Sequence, residues 1–100
     1  MEKKYSIIIP VFNEIKHINS LLLGLKPYHD KDNEIIIIDD GSNDGSLELL
    51  RKSNFIKLLS FNKNQGKGIA IKEGLRAALN EKIIIFDSDL ELNPNQLELL

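Results

Sequence analysis

Asp87 and Asp89 stand two residues apart directly after the apolar run Ile83-Ile84-Ile85-Phe86, and Glu91 follows two residues later. Carboxylates at that spacing at the end of a strand can both approach one hard cation. Mg²⁺ or Mn²⁺ is typically held by one or two protein carboxylates while phosphate oxygens and waters complete the octahedron. A second acidic turn, Asp39-Asp40-Gly41-Ser42-Asn43-Asp44, follows Ile35-Ile36-Ile37-Ile38, and Glu14 follows a third apolar run, Ile7-Ile8-Ile9. Asp40, an acceptor-only carboxylate when ionised, can take hydrogen bonds from the N–H of a base or from ribose hydroxyls. Gly66-Lys67-Gly68 at a helix start can offer backbone N–H groups and one ammonium to a phosphate. Plainer roles exist for each. Asp40 and Asp44 can bond their own turns, Lys67 can be a solvated lysine in a flexible loop, and one of the later acids can cap a helix.

The elements that must position these residues follow from the apolar pattern. A strand over residues 5–9 is ended by Pro10, which withholds a backbone donor. Asn13 then caps a helix whose stripe is Ile15, Ile18, Leu21, Leu22 and Leu25, closed at Pro27; His17 lies off the stripe and His29 falls in the loop beyond, both as surface residues. Residues 35–38 form a second strand, and a helix with Leu47 and Leu50 inward comes next. Residues 55–61 form a third strand, interrupted by Lys57 and Ser60 as suits a sheet edge. The next helix carries Gly68, Ile71, Leu75, Ala78 and Leu79 on one face, with Asn80 as its C-cap. The fourth strand, four apolar residues in a row, reads as covered on both faces. Asn93 and Pro94 open a further helix.

Strands alternating with helices make βαβ units, and right-handed crossovers arrange them as a doubly wound, mostly parallel α/β sheet with helices on both faces. In such sheets ligands bind outside the carboxyl ends of the strands, where strand order reverses. Those ends carry residues 10–14, 39–44, 62–68 and 87–91. Glu14, Asp39, Asp40, Asp44, Asp87, Asp89 and Glu91 would therefore crowd one edge, and such a crowd repels itself unless a cation enters.

One hundred residues make a single domain, 1–100, short for an enzyme that must hold two substrates, so a longer catalytic domain is expected. Hydrophobic residues at 42% and charged residues at 28% exclude a disordered chain. A net charge of -2 provides no basic field for nucleic acid. Cysteine is absent, which removes disulfides and thiolate metal sites and fits a reducing, cytoplasmic setting. No apolar run reaches the roughly 18 residues of a membrane span, and the N-terminus has no signal-peptide pattern.

Four motifs in order, Ile9-Pro10-Val11-Phe12-Asn13-Glu14, Ile38-Asp39-Asp40-Gly41-Ser42-Asn43-Asp44-Gly45-Ser46, Asn64-Gln65-Gly66-Lys67-Gly68 and Phe86-Asp87-Ser88-Asp89-Leu90-Glu91, resemble the nucleotide-binding half of a family 2 glycosyltransferase. The resemblance spans essentially the whole chain. The acidic turn, the Gly-Lys-Gly and the Asp-x-Asp-Leu with a following proline look most like dolichyl- or polyprenyl-phosphate sugar transferases. It implies the A-type nucleotide-sugar-binding fold and transfer of a sugar from a UDP- or GDP-linked donor with inversion at the anomeric carbon, in glycan or cell-envelope synthesis. It further implies that Pro10, Phe12, Glu14 and Ser88 line the nucleotide pocket, Asp40 contacts the base and Lys67 lies near the donor. Asp89 would ligate Mg²⁺ or Mn²⁺ directly, with Asp87 nearer the ribose or a metal-bound water. The acceptor would be a lipid phosphate, glycan or protein, the location the cytoplasm or the cytoplasmic face of a membrane, and membrane association would come through a C-terminal part beyond this chain. The family's catalytic base lies in the second half of the domain, beyond Leu100, so these 100 residues alone are expected to bind donor without turnover.

Other classes share parts of the pattern. Phosphoaspartyl phosphatases also end an apolar strand in Asp-x-Asp but want Thr or Val two residues on, where Glu91 stands. Receiver domains share Ile38-Asp39-Asp40 but need an aspartate at the end of a later central strand, where this chain has Phe61-Asn62. A non-catalytic nucleotide-binding module of the same fold would retain every motif named.

Overall fold

Residues 4–87 are described by a computed structural model; Ser88, Asp89, Glu91 and the helix start at Asn93 lie outside the described residues. The elements run β1 (Tyr5–Val11), α1 (Ile18–Asp30), β2 (Glu34–Asp39), α2 (Ser46–Arg51), β3 (Lys57–Ser60), α3 (Lys67–Ala77) and β4 (Lys82–Ile85). All strand pairs are parallel, in the order β3-β2-β1-β4.

The isoleucine runs place β1 and β2 at the centre because β-branched side chains suit a pleated surface packed on both sides. Ile7, Ile9, Ile35 and Ile37 pack with Leu21 and Leu25 of α1 and Leu50 of α2, whereas Ile8, Ile36 and Ile38 pack on the opposite face with Ala70 of α3. Each buried isoleucine contributes roughly 1.5–3 kcal/mol of apolar transfer. The chain builds outward from β1 to β2 to β3, then returns over the other face through α3 to lay β4 beside β1. Right-handed connections in opposite directions require helices on opposite faces, as observed. The order reverses between β1 and β4, so the crevice at their carboxyl ends is the switch point.

Several local expectations are corrected. β1 does not stop at Pro10 but runs through it to Val11, with Pro10 paired to Ile38. The side of the strand on which proline lacks a donor explains this. Ile8 O faces β4, where it accepts from the Phe86 N–H, and Val11 O faces β2, where it accepts from the Asp40 N–H. By alternation the missing Pro10 donor faces the β4 flank, where pairing ends at Ile8 and Ile85. Asn13 caps no helix; α1 begins at Ile18, and Asn13 takes a left-handed φ of 52°. Pro27 lies inside α1, which continues to Asp30. Its absent donor would have served the carbonyl of Leu23, a residue on the solvent side of the helix, where water can reach it. His29 is consequently helical rather than in a loop, with its ring centroid 5.3 Å from that of Phe55.

β4 is an edge strand among the described residues and only partly covered, with Ile85 49% exposed. Asn80 is not the C-cap of α3; its amide donates to Tyr5 O at 3.0 Å and its backbone N–H to Ser6 Oγ at 3.2 Å, tying the start of β4 to β1.

α3 turns a different face to the sheet than its large residues suggest. Ala70 and Gly74 are buried, while Gly68, Leu75 and Leu79 are exposed. The sheet supplies the bulk and the helix supplies the small residues. A Cβ on Gly74 would lie 2.6 Å from Ile8 Cγ2 and 2.8 Å from Ile38 Cδ1. Alanine gains about 1 kcal/mol of helix propensity, but overpacking two buried isoleucines costs roughly 1–3 kcal/mol. Gly74→Ala is therefore expected to lower stability by about 1 kcal/mol net. Urea denaturation checks this, and a raised midpoint would show that α3 has room to lift from the sheet.

Candidate functional site

The loop after β1 is stitched to the loop after β2. Asn13 donates its N–H to Ser42 Oγ at 2.8 Å, and the Asn43 N–H donates to Asn13 Oδ1 at 2.9 Å. The Glu14 N–H donates to Ser46 Oγ at 3.0 Å and the Ile15 N–H to Asp44 Oδ2 at 3.1 Å. Asp44 Oδ1 accepts from both the N–H and the hydroxyl of Ser46, at 3.0 and 2.6 Å. Burial alone would raise the Asp44 pKa, but the Ser46 hydroxyl and the backbone N–H groups of Ser46 and Ile15 outweigh it and hold the carboxyl below its ordinary value. A depressed folded pKa contributes stability that is complete above the ordinary carboxylate value of about 4 and fades as pH falls through the lower folded value. Asp44→Asn should thus flatten the loss of stability as pH falls below about 4, read by urea midpoints at successively lower pH. An unchanged slope would mean the stitch does not depend on the charge.

The loop after β2 is also locked to the loop after β3. Asp40 is buried, and its Oδ1 accepts from the Gln65 N–H at 2.7 Å while its Oδ2 accepts from the Gly66 N–H and from Asn64 Nδ2, both at 3.0 Å. Gly41, at φ 77°, lets the two backbones touch: a Cβ there would lie 2.4 Å from both Asn64 N and Lys63 C. Asp39, fully buried, accepts from the Ser42 N–H at 3.0 Å.

These contacts bear on three of the seven acids expected at this edge. Both oxygens of Asp40 and of Asp44 accept from N–H and O–H donors of the loops they shape, whereas Asp39 has one oxygen so engaged and its other, Oδ1, buried with no hydrogen-bond partner among the described residues. Among the described residues no group of three or more acidic or histidine side chains could hold a metal ion.

At the switch point stand Lys67, the first residue of α3, and Asp87, just past β4. Lys67 Nζ lies 2.6 Å from Asp87 Oδ2, with the side chains 44% and 22% exposed. Pro10 is buried in β1 nearby in the chain order, Phe12 is an exposed aromatic at the end of that strand, and Glu14 is half-buried in the loop that follows. Ser88 and Asp89, expected at the nucleotide and the metal, lie outside the described residues. Asp87 presents one hard oxygen donor at the crevice, which fits an ion of the Mg²⁺ or Mn²⁺ type that takes only one or two protein carboxylates. Among the described residues the structure thus joins the loops after β1, β2 and β3 along one edge and pairs Lys67 with Asp87. Asn64 and Ser46, the residues that lock those loops, had no role assigned by the sequence; Asn64 lies two residues before Gly66, where an amide side chain can reach across to an acidic turn.

Comparison with known proteins bears on what this edge serves. The profile of glycosyl transferase family 2 matches residues 6–100. A cholesterol galactosyltransferase of Borreliella burgdorferi is 39% identical over 101 residues, covering 97% of this chain and 28% of that protein. An undecaprenyl-phosphate 4-deoxy-4-formamido-L-arabinose transferase of Aeromonas hydrophila is 36% identical over 103 residues, covering 95% and 32%. The chain thus spans about a third or less of the length of these relatives. Among solved structures, a mannosyltransferase from Pyrobaculum calidifontis in complex with GDP-Man and Mn²⁺ superposes with a TM-score of 0.78 at 25% identity, over 89% of this chain and 28% of that one. With a family match over nearly its whole length, this chain belongs to glycosyl transferase family 2.

Proposed function

We propose that the chain is the donor-binding part of a longer inverting glycosyltransferase that moves a sugar, of hexosyl type, from a UDP- or GDP-linked donor to a lipid-phosphate, glycan or protein acceptor. The observation that carries this is the Lys67–Asp87 pair at the switch point of a family 2 sheet, an ammonium and a carboxylate where a nucleoside diphosphate would sit. A polyprenyl phosphate is the favoured acceptor, because a relative at 36% identity is named for transfer involving undecaprenyl phosphate. Action at the cytoplasmic face of a membrane follows from that choice.

In this proposal Pro10, Phe12 and Glu14 line the nucleotide pocket with Ser88. Asp40 serves the base by holding the loop at residues 64–66 in place, with the direct contact to the base as the alternative. Lys67 bonds the diphosphate. Asp87 and Asp89 would hold Mg²⁺ or Mn²⁺, which when bound supplies positive charge to the leaving diphosphate. The catalytic base belongs to the part beyond Leu100, so the 100 residues alone bind donor and do not turn over.

Backbone amide shifts by NMR test the placement. Adding UDP or GDP with Mg²⁺ should move the amides of Phe12, Gln65, Gly66 and Lys67 together and leave those of Asn33 and Asn80, at the amino edge of the sheet, in place. Shifts confined to the amino edge would overturn the proposal.

A further inference from the structure

Resting on the donor site proposed above, Lys67 has a further part to play. Asp40 and Asp44 accept backbone N–H groups on both carboxylate oxygens, whereas the described partner of Asp87 Oδ2 is a side-chain ammonium on a flexible four-carbon stem. The Lys67 side chain is 44% exposed, and a Cβ built on either neighbour, Gly66 or Gly68, meets nothing within 4 Å. The oxygen that holds Lys67 is also the hard donor that suits a divalent ion. An ammonium and a divalent cation compete for it, because like charges at ligand distance repel in a partly buried site.

We infer that Lys67 is an exchangeable counter-ion of Asp87: it offsets the carboxylate charge in the nucleotide-free protein and gives it up when a diphosphate takes the ammonium. Lys67 then blocks the divalent ion in the nucleotide-free protein and supports it in the nucleotide complex. Metal and nucleotide binding become positively linked through one side chain, and the linkage is reciprocal. The arrangement also keeps Asp87 from collecting a cation to no purpose before the donor arrives.

Mn²⁺ binding to the full chain, followed by the electron paramagnetic resonance of the free ion, tests this in the absence and presence of UDP and GDP. Lys67→Met should bind Mn²⁺ about tenfold tighter than the wild type without nucleotide. The tightening of Mn²⁺ by the nucleotide should shrink by about the same factor. Lys67→Arg, which keeps the charge, should retain the wild-type pattern, and Lys67→Gln should follow Lys67→Met. Unchanged or weaker Mn²⁺ binding by both neutral variants, with nucleotide-dependent Mn²⁺ binding intact in the wild type, would overturn the counter-ion role alone. Absence of Mn²⁺ binding by the wild type with either nucleotide would overturn the donor-site proposal and this inference with it.

Discussion

Replacing Gly41 by alanine is expected to lower the unfolding free energy by about 3 kcal/mol and to weaken nucleotide binding with it. The residue sits at φ 77°, which costs a side-chain-bearing residue roughly 1–2 kcal/mol. The added methyl carbon would also overlap Asn64 N, Lys63 C and Lys63 Cα at 2.4, 2.4 and 2.8 Å. These are backbone atoms, so no rotamer change relieves the overlap and the loop itself must move. Movement breaks the hydrogen bonds from Gln65 and Gly66 to Asp40, each worth roughly 1.5–3 kcal/mol when the acceptor is charged. Relaxation of an exposed loop recovers part of that sum. Urea denaturation measures the loss, and a change under about 1 kcal/mol would show that the loops separate without cost.

Asp40→Ala is expected to cost a similar amount, about 3 kcal/mol, because it strands the Gln65 and Gly66 N–H groups and the Asn64 amide together. Asp40→Asn keeps one acceptor and turns a donor toward donors, so about 2 kcal/mol is expected. The nucleotide dependence separates the two roles open to Asp40. If it acts through the loop, Asp40→Asn weakens UDP and GDP by the same factor. A direct contact would penalise them unequally, since guanine carries an exocyclic amino donor that uracil lacks.

The fold was legible in the two strands richest in bulky apolar residues. Ile7 to Ile9 and Ile35 to Ile38 announce central parallel strands because a strand covered on both faces favours unbroken isoleucine, whereas the same pattern at Ile83 to Ile85 stands in a partly covered edge strand. The same emphasis on bulk misplaced α3, whose contact residues are Ala70 and Gly74: a helix pressed onto isoleucine side chains needs small residues, and these carry little hydrophobic signal. Pro10 misled because a missing donor ends a strand only on the side where a partner waits. The described part of the candidate site was legible as polar loops at the ends of β1, β2 and β3, and Lys67 and Asp87 were both named from their motifs. Their pairing was not legible, nor was the way Asp40 and Asp44 fasten one strand-end loop to another. Asp40 and Gly66 are 26 residues apart and Ile15 and Asp44 are 29 apart, and no periodicity marks such polar contacts.

Calorimetric titration of UDP and GDP, with and without Mn²⁺, tests the donor site most directly, with Asp87→Asn and Asp89→Ala alongside. One of the two nucleotides is expected to bind in the presence of Mn²⁺ and to weaken by about tenfold or more when the metal is withheld or either carboxylate is replaced. A folded sample that binds neither nucleotide, or binds one equally well without the metal and without both carboxylates, would contradict the assignment of this edge to a nucleotide-sugar donor.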